Sequence, residues 1–370
     1  MRASHVWTFF CVVAPGLEAL AIAEYEEKRP ALGAQAPVRP LPGGFEVELP
    51  WDVGRGLTCL LKIPTRVLVR LESVRARDFP TLFQKARDLP WGRWLAHPAP
   101  NWKVAAHQCR LMHTGRIEET LTEALAAHLA RQPFASRWQK ENLAPERVQV
   151  RGVDDTWTIS LDITGEALYK RGDSHVDAEA PLRETLAAAV LRHLFADQRA
   201  PVHLWDPMCG SGTFLREARD YGKPSVRAQA WEKSVLNLGV APWKPRAEPV
   251  SLPVAGLTGH DVDEALISRW PAEPGIGLGP HDFFRNPAPP EGRPLWVVSN
   301  PPYGERLALD GGVAVFAKKL AEQLSRFDLE RVCLVVPRSW PALKIGHLRQ
   351  ADPLEFSNGG LAVQARLWVR

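Results

Sequence analysis

The stretch HLWDPMCGSGT at residues 203–213 decides the fold class of this 370-residue chain. A short apolar strand ends at Asp206, and Gly210 and Gly212 follow before a helix that is expected to begin at Thr213. In open α/β sheets, ligands lie at the carboxyl ends of strands beside a helix N-terminus. Glycine lets the backbone approach a ligand closely. The stretch therefore predicts a Rossmann-like α/β sheet with a ligand-binding loop; a plain tight turn before a helix is the alternative.

The motifs that the chain lacks limit which ligands this loop could bind. Neither GxxxxGK[ST] nor GxGxxG is present, so a triphosphate or a nicotinamide dinucleotide is disfavoured. Ser211 is not part of a GxSxG turn, and Cys209 has no neighbouring base, so neither is favoured as a nucleophile. A zwitterionic amino acid that carries an adenosine fits best, which predicts S-adenosylmethionine as the cofactor. The candidate contacts on the loop are Asp206, Met208, Gly210, Gly212 and Thr213.

A second motif, NPPY, follows about ninety residues later, at the end of the apolar strand VVS. The prolines fix the backbone and leave carbonyl groups free to accept hydrogen bonds. The Asn300 side-chain oxygen and the Pro301 carbonyl can accept both N–H groups of a planar amine, and Tyr303 offers a face for stacking. Asn300, Pro301, Pro302 and Tyr303 are therefore the candidate catalytic residues. The alternative is a turn capped by asparagine, and the motif does not choose between adenine N6, guanine N2 and cytosine N4.

Acidic residues downstream of the loop are candidates for the adenosine part of the cofactor. Asp261 ends the next predicted strand and can accept from ribose hydroxyls, with Asp263 in reserve. Asp282 is expected to accept from the adenine amino group, with the Phe283 ring packed on the base. For Asp282 alone, a solvated loop acid beside core phenylalanines is the alternative.

Composition describes an ordinary globular chain, with 45% apolar and 24% charged residues. The five cysteines are scattered and form no CxxC pair, so a disulfide framework or a zinc site is disfavoured, no metal is expected, and a reducing cytoplasm is predicted. Near the N-terminus, the apolar run at residues 6–14 is interrupted by Pro15, Gly16 and Glu18. This pattern favours a strand and a helix over a secretory signal. No apolar run is long enough to cross a membrane.

Alternating patterns predict strands at residues 5–14, 45–49, 65–71, 104–106, 148–150 and 156–163, and helical spacing predicts helices at 16–29 and 117–129. Residues 30–44 are expected to form a loop. After residue 181, a helix is expected at 182–195, before the loop from Asp206 to Thr213, which we call the Gly loop. Further strands are expected near 257–259, 295–299 and 331–336. Residues 222–255, rich in Pro and Trp, are expected to be an irregular insertion. The chain thus predicts one or two small α+β units before a doubly wound sheet.

The net charge of +4 is unevenly spread. Residues 61–150 contain 15 lysines and arginines against 8 aspartates and glutamates. A basic segment beside a near-neutral one suits an enzyme with a phosphate-bearing partner. A solvated helix face is the alternative for charge alone.

With these motifs in view, the chain resembles the bacterial THUMP-containing RNA guanine-N2 methyltransferases. The resemblance covers nearly the whole chain and includes GLE at residues 16–18, TRVL at 65–68, CRLMHT at 109–114, SLDITG at 160–165, YKRG at 169–172, APLRETLAA at 180–188, NPPYGERL at 300–307 and SNGGL at 357–361. One departure is Asp173-Ser174-His175, where that family usually has an aromatic and a basic residue. A contact with cofactor or RNA is therefore in doubt there.

The resemblance implies a ferredoxin-like domain at 1–64, a THUMP RNA-binding domain at 65–165 and a Rossmann-like methyltransferase domain at 166–370. It implies that Pro181, Leu182 and Glu184 flank the methionine end of the cofactor. It also implies an N-terminal part that grips RNA shape and phosphates. The candidates for that grip are Arg66, Arg70, Lys103, Arg110 and Arg116.

These expectations combine into one predicted function, the formation of N2-methylguanosine in RNA. We expect 23S rRNA in preference to a tRNA, although no residue decides between them. A DNA or RNA adenine-N6 methyltransferase is one alternative, but for DNA it leaves the N-terminal half without a role. A non-catalytic RNA-binding assembly factor is the other, and the intact loop and NPPY argue against it.

Overall fold

The computed structural model of the protein describes residues 5–134, 145–171, 182–225, 229–237, 240–271, 273–303 and 312–370. Within these ranges the strands form two sheets, one in each half of the chain. None of the helices in these ranges is both long and apolar enough to span a membrane.

The first sheet has seven strands among the described residues, in the order β2-β3-β1-β4-β7-β6-β5. Only β5 and β6 run parallel. Helices α1, α4 and α5 pack on one face, where buried side chains such as Trp157, Ile159 and Leu161 alternate along β7. The elements are β1 (Val6–Val12), α1 (Glu18–Leu32), β2 (Val38–Leu41), β3 (Gly44–Pro50), α2 (Trp51–Gly54), α3 (Leu57–Leu60), β4 (Arg66–Arg75), α4 (Phe79–Arg87), β5 (Asn101–His107), α5 (Thr114–Arg131), β6 (Arg147–Val153) and β7 (Thr156–Asp162).

This sheet is continuous across residue 64, where a domain boundary is predicted. β1 lies between β3 and β4, and Phe9 pairs with Val69 in the antiparallel ladder. The division into units at 1–64 and 65–165 stays a prediction, because the strands of both share one hydrogen-bonded sheet.

The strands predicted at residues 148–150 and 156–163 are confirmed as β6 and β7, which form a hairpin around Asp154 and Asp155. Both residues have positive φ, 49° and 61°, as a two-residue turn between twisted strands requires. The antiparallel pairing of β6 with β7 begins at Val153 and Thr156.

The loop predicted at residues 30–44 is wrong in part. Helix α1 continues to Leu32 with Pro30 in its last turn, and Gly33 ends it at φ 72°. Strand β2 then pairs with β3, with Pro40 opposite Phe45. A proline is tolerated there because β2 is the edge strand and one side of its backbone needs no donor.

The second sheet has eight strands among the described residues, in the order β10-β9-β8-β11-β12-β15-β13, with β14 on β15. Strands β8 to β12 pair in parallel, and β15 runs antiparallel to β12. The predicted Rossmann-like α/β class is confirmed. The elements are α6 (Glu184–Leu194), β8 (Val202–Asp206), α7 (Thr213–Arg219), β9 (Val254–Asp261), α8 (Glu264–Ser268), β10 (Ile276–Pro280), β11 (Leu295–Ser299), α9 (Gly312–Leu324), β12 (Arg331–Pro337), β13 (Arg349–Gln350), β14 (Leu354–Asn358) and β15 (Leu361–Val369).

The insertion at residues 222–255 has little regular structure where it is described, as predicted: two short 3-10 turns precede β9. It packs against the N-terminal half. Trp231 donates its indole N–H to the Thr58 hydroxyl at 2.9 Å, and the Arg55 guanidinium donates to Asn237 Oδ1 at 3.0 Å and lies over the Trp231 ring.

Buried charges join the two halves of the chain. Lys28 is fully buried, and its ammonium donates to Glu24 at 2.8 Å, to the Leu60 carbonyl at 3.0 Å and to the Tyr221 carbonyl at 2.9 Å. Burial lowers the pKa of Lys28, and the Glu24 carboxylate opposes that effect. Arg171 donates to Glu217 at 2.5 Å and to the Lys62 carbonyl at 2.8 Å. Together these contacts attach the segment before β4 to helix α7, and we call them the buried joint.

Candidate active site

The predicted cofactor residues lie at one edge of the second sheet, where parallel strands end side by side. Asp206 ends β8, Asp261 ends the neighbouring β9, and Ser299 ends β11 on the other side of β8. Asn300 follows Ser299 directly. The strand order therefore brings the Gly loop, the ribose candidate and NPPY to the same edge, as expected for a ligand site in an α/β sheet.

Hydrogen bonds hold the loop in a tight conformation. The Asp206 carboxylate accepts from the Met208 N–H at 3.2 Å, and the Asp261 carboxylate accepts from the Gly210 N–H at 2.9 Å. The Gly212 N–H donates to the Cys209 carbonyl at 2.7 Å. The loop then enters α7 at Thr213, the first helical residue, where the exposed backbone N–H groups of a helix N-terminus favour negative charge.

The two loop glycines have different surroundings. Both have positive φ, 50° for Gly210 and 71° for Gly212. A Cβ at Gly210 would have no atom within 4 Å, whereas a Cβ at Gly212 would lie 1.5 Å from the Trp270 ring. Gly210 thus faces open space, and Gly212 makes room for a buried tryptophan that the sequence did not point to.

Burial dominates the electrostatics of Asp206. It raises the pKa of this carboxyl from 3.8 to about 7, with the Asp261 charge adding to the effect and the nearby Ser299 hydroxyl and the Met208 N–H opposing it. Carboxyl groups with strongly raised pKa values are a recurrent feature of functional sites. A cation placed beside Asp206 would favour its ionised form.

Asp261 and its reserve, Asp263, have distinct roles in the structure. Asp261 accepts from the backbone N–H groups of Gly210 and Asp263, at 2.9 and 3.0 Å. Asp263 caps α8 by accepting from the Leu266 N–H at 2.9 Å. This geometry favours Asp261 over Asp263 as the ligand candidate, because Asp263 is used by its own helix.

The two predicted adenine contacts, Asp282 and Phe283, are both engaged within the protein. Asp282 accepts from the N–H groups of Phe284 and Arg285, at 2.9 and 3.2 Å, and so caps its own turn. The Phe283 ring is 4% exposed and packs edge-on against Trp205 and near Phe327, with centroids 5.7 and 6.2 Å apart. A stacking role for Phe283 would need an exposed face that the ring does not have here.

NPPY supplies a buried acceptor without a partner among the described residues, as does the Ser299 hydroxyl before it. Asn300 is half-buried, and its Oδ1 is inaccessible and accepts no hydrogen bond from the part of the chain that the structure describes. Pro301 is buried, Pro302 is exposed and Tyr303 is half-buried. Buried acceptors are normally satisfied, so Asn300 Oδ1 fits an incoming N–H donor.

The methionine-end candidates are partly described. Pro181 lies outside the described residues, Leu182 is buried, and Glu184 opens α6. Burial raises the pKa of Glu184, and the nearby Glu217 carboxylate raises it further.

Two of the five RNA candidates are engaged in internal ion pairs. Arg66 donates to Asp162 at 2.7 Å, and Arg70 donates to Glu46 at 2.8 Å. The other three, Lys103, Arg110 and Arg116, are exposed. Sequence reasoning missed Arg147 and Arg151, which alternate with buried residues along β6 and so share the sheet face of Lys103.

A pair of histidines was also missed. His260 is the penultimate residue of β9 and His281 directly follows the neighbouring β10, with ring centroids 4.6 Å apart. His260 accepts from the Trp205 indole N–H at 3.1 Å, and burial, with His281 adding to it, lowers the pKa of His260 to about 4. The sequence feature that could have pointed to this pair is a histidine next to the carboxyl end of each of two successive strands.

One segment of the chain, which includes the Gly loop, is similar to a known protein family. Residues 171–271 match the family model described as "RMKL-like, methyltransferase domain". This segment is therefore similar to an RMKL-like methyltransferase domain. The matched segment includes α6, the Gly loop and Asp261, and NPPY follows it.

Curated relatives of the chain are named ribosomal RNA large subunit methyltransferase K/L. The protein of Stutzerimonas stutzeri is 30% identical over 84% of this chain and 46% of its own length, and that of Colwellia psychrerythraea is 26% identical over 97% and 52%. The chain spans about half the length of these relatives.

Solved structures share the fold over nearly the whole chain. A possible methylase from Clostridium difficile 630 superposes with a TM-score of 0.77 at 22% identity, covering 99% of this chain and 98% of that one. A putative methyltransferase complexed with SAH gives 0.76 at 19% identity, with 98% of both chains covered. TrmN from Thermus thermophilus gives 0.65 at 20% identity, covering 99% and 100%.

Proposed function

We propose that the protein is an S-adenosylmethionine-dependent RNA methyltransferase that forms N2-methylguanosine, with 23S rRNA as the favoured substrate and the cytoplasm as its location. The observation that carries the proposal is the orphaned Asn300 Oδ1 next to the loop from Asp206 to Thr213. The names of the relatives support the choice of rRNA.

The residues present fit this cofactor. Asp206 and Asp261 provide buried and half-buried carboxylates, Gly210 leaves open space above the loop, and α7 presents its N-terminus. When bound, S-adenosylmethionine supplies an electrophilic methyl group. Asp206 would favour its positive charge, and Asp261 would accept from its ribose hydroxyls.

The chain's own contribution to the reaction is to bind and orient the amine. The lone pair of an exocyclic amine is delocalised into the base, so the amine is a poor nucleophile. With Asn300 Oδ1 and the Pro301 carbonyl accepting its two N–H groups, the lone pair is directed away from the protein, and Tyr303 stacks on the base. No strong base is required, because the amine loses its proton after it has reacted.

Affinity for the cofactor product, S-adenosylhomocysteine, is expected to fall about tenfold from pH 8 to pH 6. Asp206 has a pKa of about 7 in the unliganded protein, and a bound ammonium favours its ionised form, so binding below pH 7 must release a proton. The same raised pKa means that the unliganded protein loses stability as pH rises from about 4 to 7. Calorimetric titration across this pH range measures the dependence.

Asp206→Asn should bind weakly with no pH dependence in this range, whereas Asp263→Asn, which alters a helix cap, should keep the wild-type dependence. Equal wild-type affinities at pH 6 and pH 8 would show that Asp206 does not face the cationic part of the ligand.

The open face of the first sheet is the surface that we assign to RNA. Lys103, Gln149, Ser160 and Arg70 form one row across β5, β6, β7 and β4, spanning about 14 Å. The Phe10 ring on this face lies beneath the Arg70 guanidinium, 4.2 Å away, so it offers no stacking surface. Lys103 and Arg151 on this face are exposed, and such cationic groups fit phosphates and RNA shape.

Reversing two charges on this face, Lys103→Glu with Arg151→Glu, is expected to weaken binding to 23S rRNA and to lower the slope of log K against log salt by about 2. Filter binding at a series of salt concentrations measures the slope. Arg131→Glu, compared with Arg151→Glu alone, is the matched control, because Arg131 is exposed at the end of α5 on the helical side. If the control weakened RNA binding equally, the loss of affinity would be due to net charge and not to this face.

A further inference from the structure

Arg216, one turn into α7, is buried beneath the Gly loop and contacts it directly. The residue is 8% exposed. Its guanidinium donates to the Ser211 carbonyl at 2.7 Å and to Glu273 at 2.6 Å. It also lies 4.3 Å from the centroid of the Trp270 ring, the ring that fills the space above Gly212.

Glu273 anchors this arrangement from outside the helix. One carboxylate oxygen accepts from Arg216 and the other from Arg219, each at 2.6 Å. Arg219 is more exposed than Arg216, with 23% against 9% of the side chain accessible, and donates also to its neighbour Asp220. The two arginines therefore share an anion, but of the two only Arg216 donates to the loop in the described structure.

The peptide group between Ser211 and Gly212 is held on both sides. Its carbonyl accepts from Arg216, and its N–H donates to the Cys209 carbonyl at 2.7 Å. A peptide group is planar, so these two bonds fix its orientation and with it the direction in which the chain enters α7 at Thr213. A charged donor makes a stronger hydrogen bond to the carbonyl than a neutral one does.

We infer that Arg216 is a positioning residue for cofactor binding, held in place by Trp270 and Glu273. The inference rests on the proposed function, because it assigns the loop from Asp206 to Thr213 to S-adenosylmethionine. Arg216 acts through the Ser211–Gly212 peptide. One of its terminal nitrogens is buried without a partner among the described residues, a costly arrangement that a loop-fixing role explains.

The test compares Arg216→Met, Arg216→Lys and Arg219→Met. Arg216→Met is expected to raise the dissociation constant of S-adenosylhomocysteine and the KM for S-adenosylmethionine by about tenfold or more, as for a lost charge-assisted bond, with a far smaller change in kcat. Arg216→Lys should recover part of the affinity, because lysine keeps the charge but cannot bind Ser211 and Glu273 in the same fork. Arg219→Met should bind like the wild type. Calorimetry and methyl-transfer kinetics give these values, with thermal unfolding as a separate readout.

A purely structural role would lower Tm in both methionine variants without this difference in affinity, and equal affinities of Arg216→Met and Arg219→Met would overturn the inference. If Arg216→Met does not fold, Arg216→Lys takes its place in the comparison. Equal affinities of Arg216→Lys and Arg219→Met would then overturn the inference. Wild-type protein that fails to bind S-adenosylhomocysteine would instead refute the proposed function, and the inference with it.

Discussion

Asn300→Ala is expected to lower methyl transfer by about 10²–10³-fold, the range seen when one positioned hydrogen-bonding group is removed from an active site. Affinity for S-adenosylhomocysteine should not change. The Asn300 Oδ1 atom is buried and unsatisfied among the described residues, and alanine removes the acceptor that would orient the amine. The measurement is transfer of radiolabelled methyl from S-adenosylmethionine to rRNA, tRNA and DNA from a strain lacking the protein, with modified nucleosides identified by mass.

Asn286→Ala is a matched control, because Asn286 is exposed and the chemical change is the same. N2-methylguanosine in rRNA that is lost in Asn300→Ala and kept in Asn286→Ala would support the proposed function. N2-methylguanosine in tRNA alone would transfer the function to tRNA, and N6-methyladenine in DNA would refute it. Undiminished transfer by Asn300→Ala would remove Asn300 from the catalytic residues.

Gly212→Ala is expected to destabilise the protein by about 2–5 kcal/mol, the sum of left-handed backbone strain and overpacking. Its Cβ would lie 1.5 Å from the Trp270 ring, at φ 71°. Either the ring or the loop must move, so cofactor affinity should fall as well. Urea unfolding and calorimetric titration with S-adenosylhomocysteine measure the two effects.

Gly210→Ala separates the two effects. Gly210 has φ 50° and open space around its α-carbon, so we expect a stability loss of about 1–2 kcal/mol from backbone strain alone. If the cofactor lies on the loop, Gly210→Ala should still weaken binding. In a Trp270→Ala background, Gly212→Ala should cost less stability than it does in the wild type, because the ring it would clash with is absent. Equal stability losses in the two alanine variants would contradict this account of the packing.

Local patterns predicted those parts of the site that depend on neighbours in sequence. The strand that ends at Asp206, the two-glycine turn and the start of α7 lie within residues 202–219, where apolar runs and glycines determine the backbone. The Asp154-Asp155 hairpin is predictable for the same reason. The helix α4 and the edge strand β2 were not predicted, because proline near an element obscures its periodicity.

Contacts between distant segments could not be predicted from the pattern. Trp270 and Glu273 lie more than fifty residues from Gly212 and Arg216, and no spacing rule connects them. Alternation correctly placed Arg70 on a polar strand face but gave no sign of Glu46, its partner across β1. Phe283 follows an acid at a strand end, and only the positions of Trp205 and Phe327 show that its ring belongs to the core.

The buried joint has a consequence for how an enzyme of the proposed kind would choose its target. Lys28 and Arg171 use their hydrogen bonds on groups from both halves of the chain, so a hinge motion there would leave buried charges without partners, which is strongly destabilising. The open face of the first sheet, which we assign to RNA, and the NPPY site, which would bind the amine, are thus kept at a fixed separation and orientation. A guanine would be accepted only where the RNA places it at that distance from the gripped segment, so substrate choice would depend on the three-dimensional shape of the RNA as well as on the identity of the base.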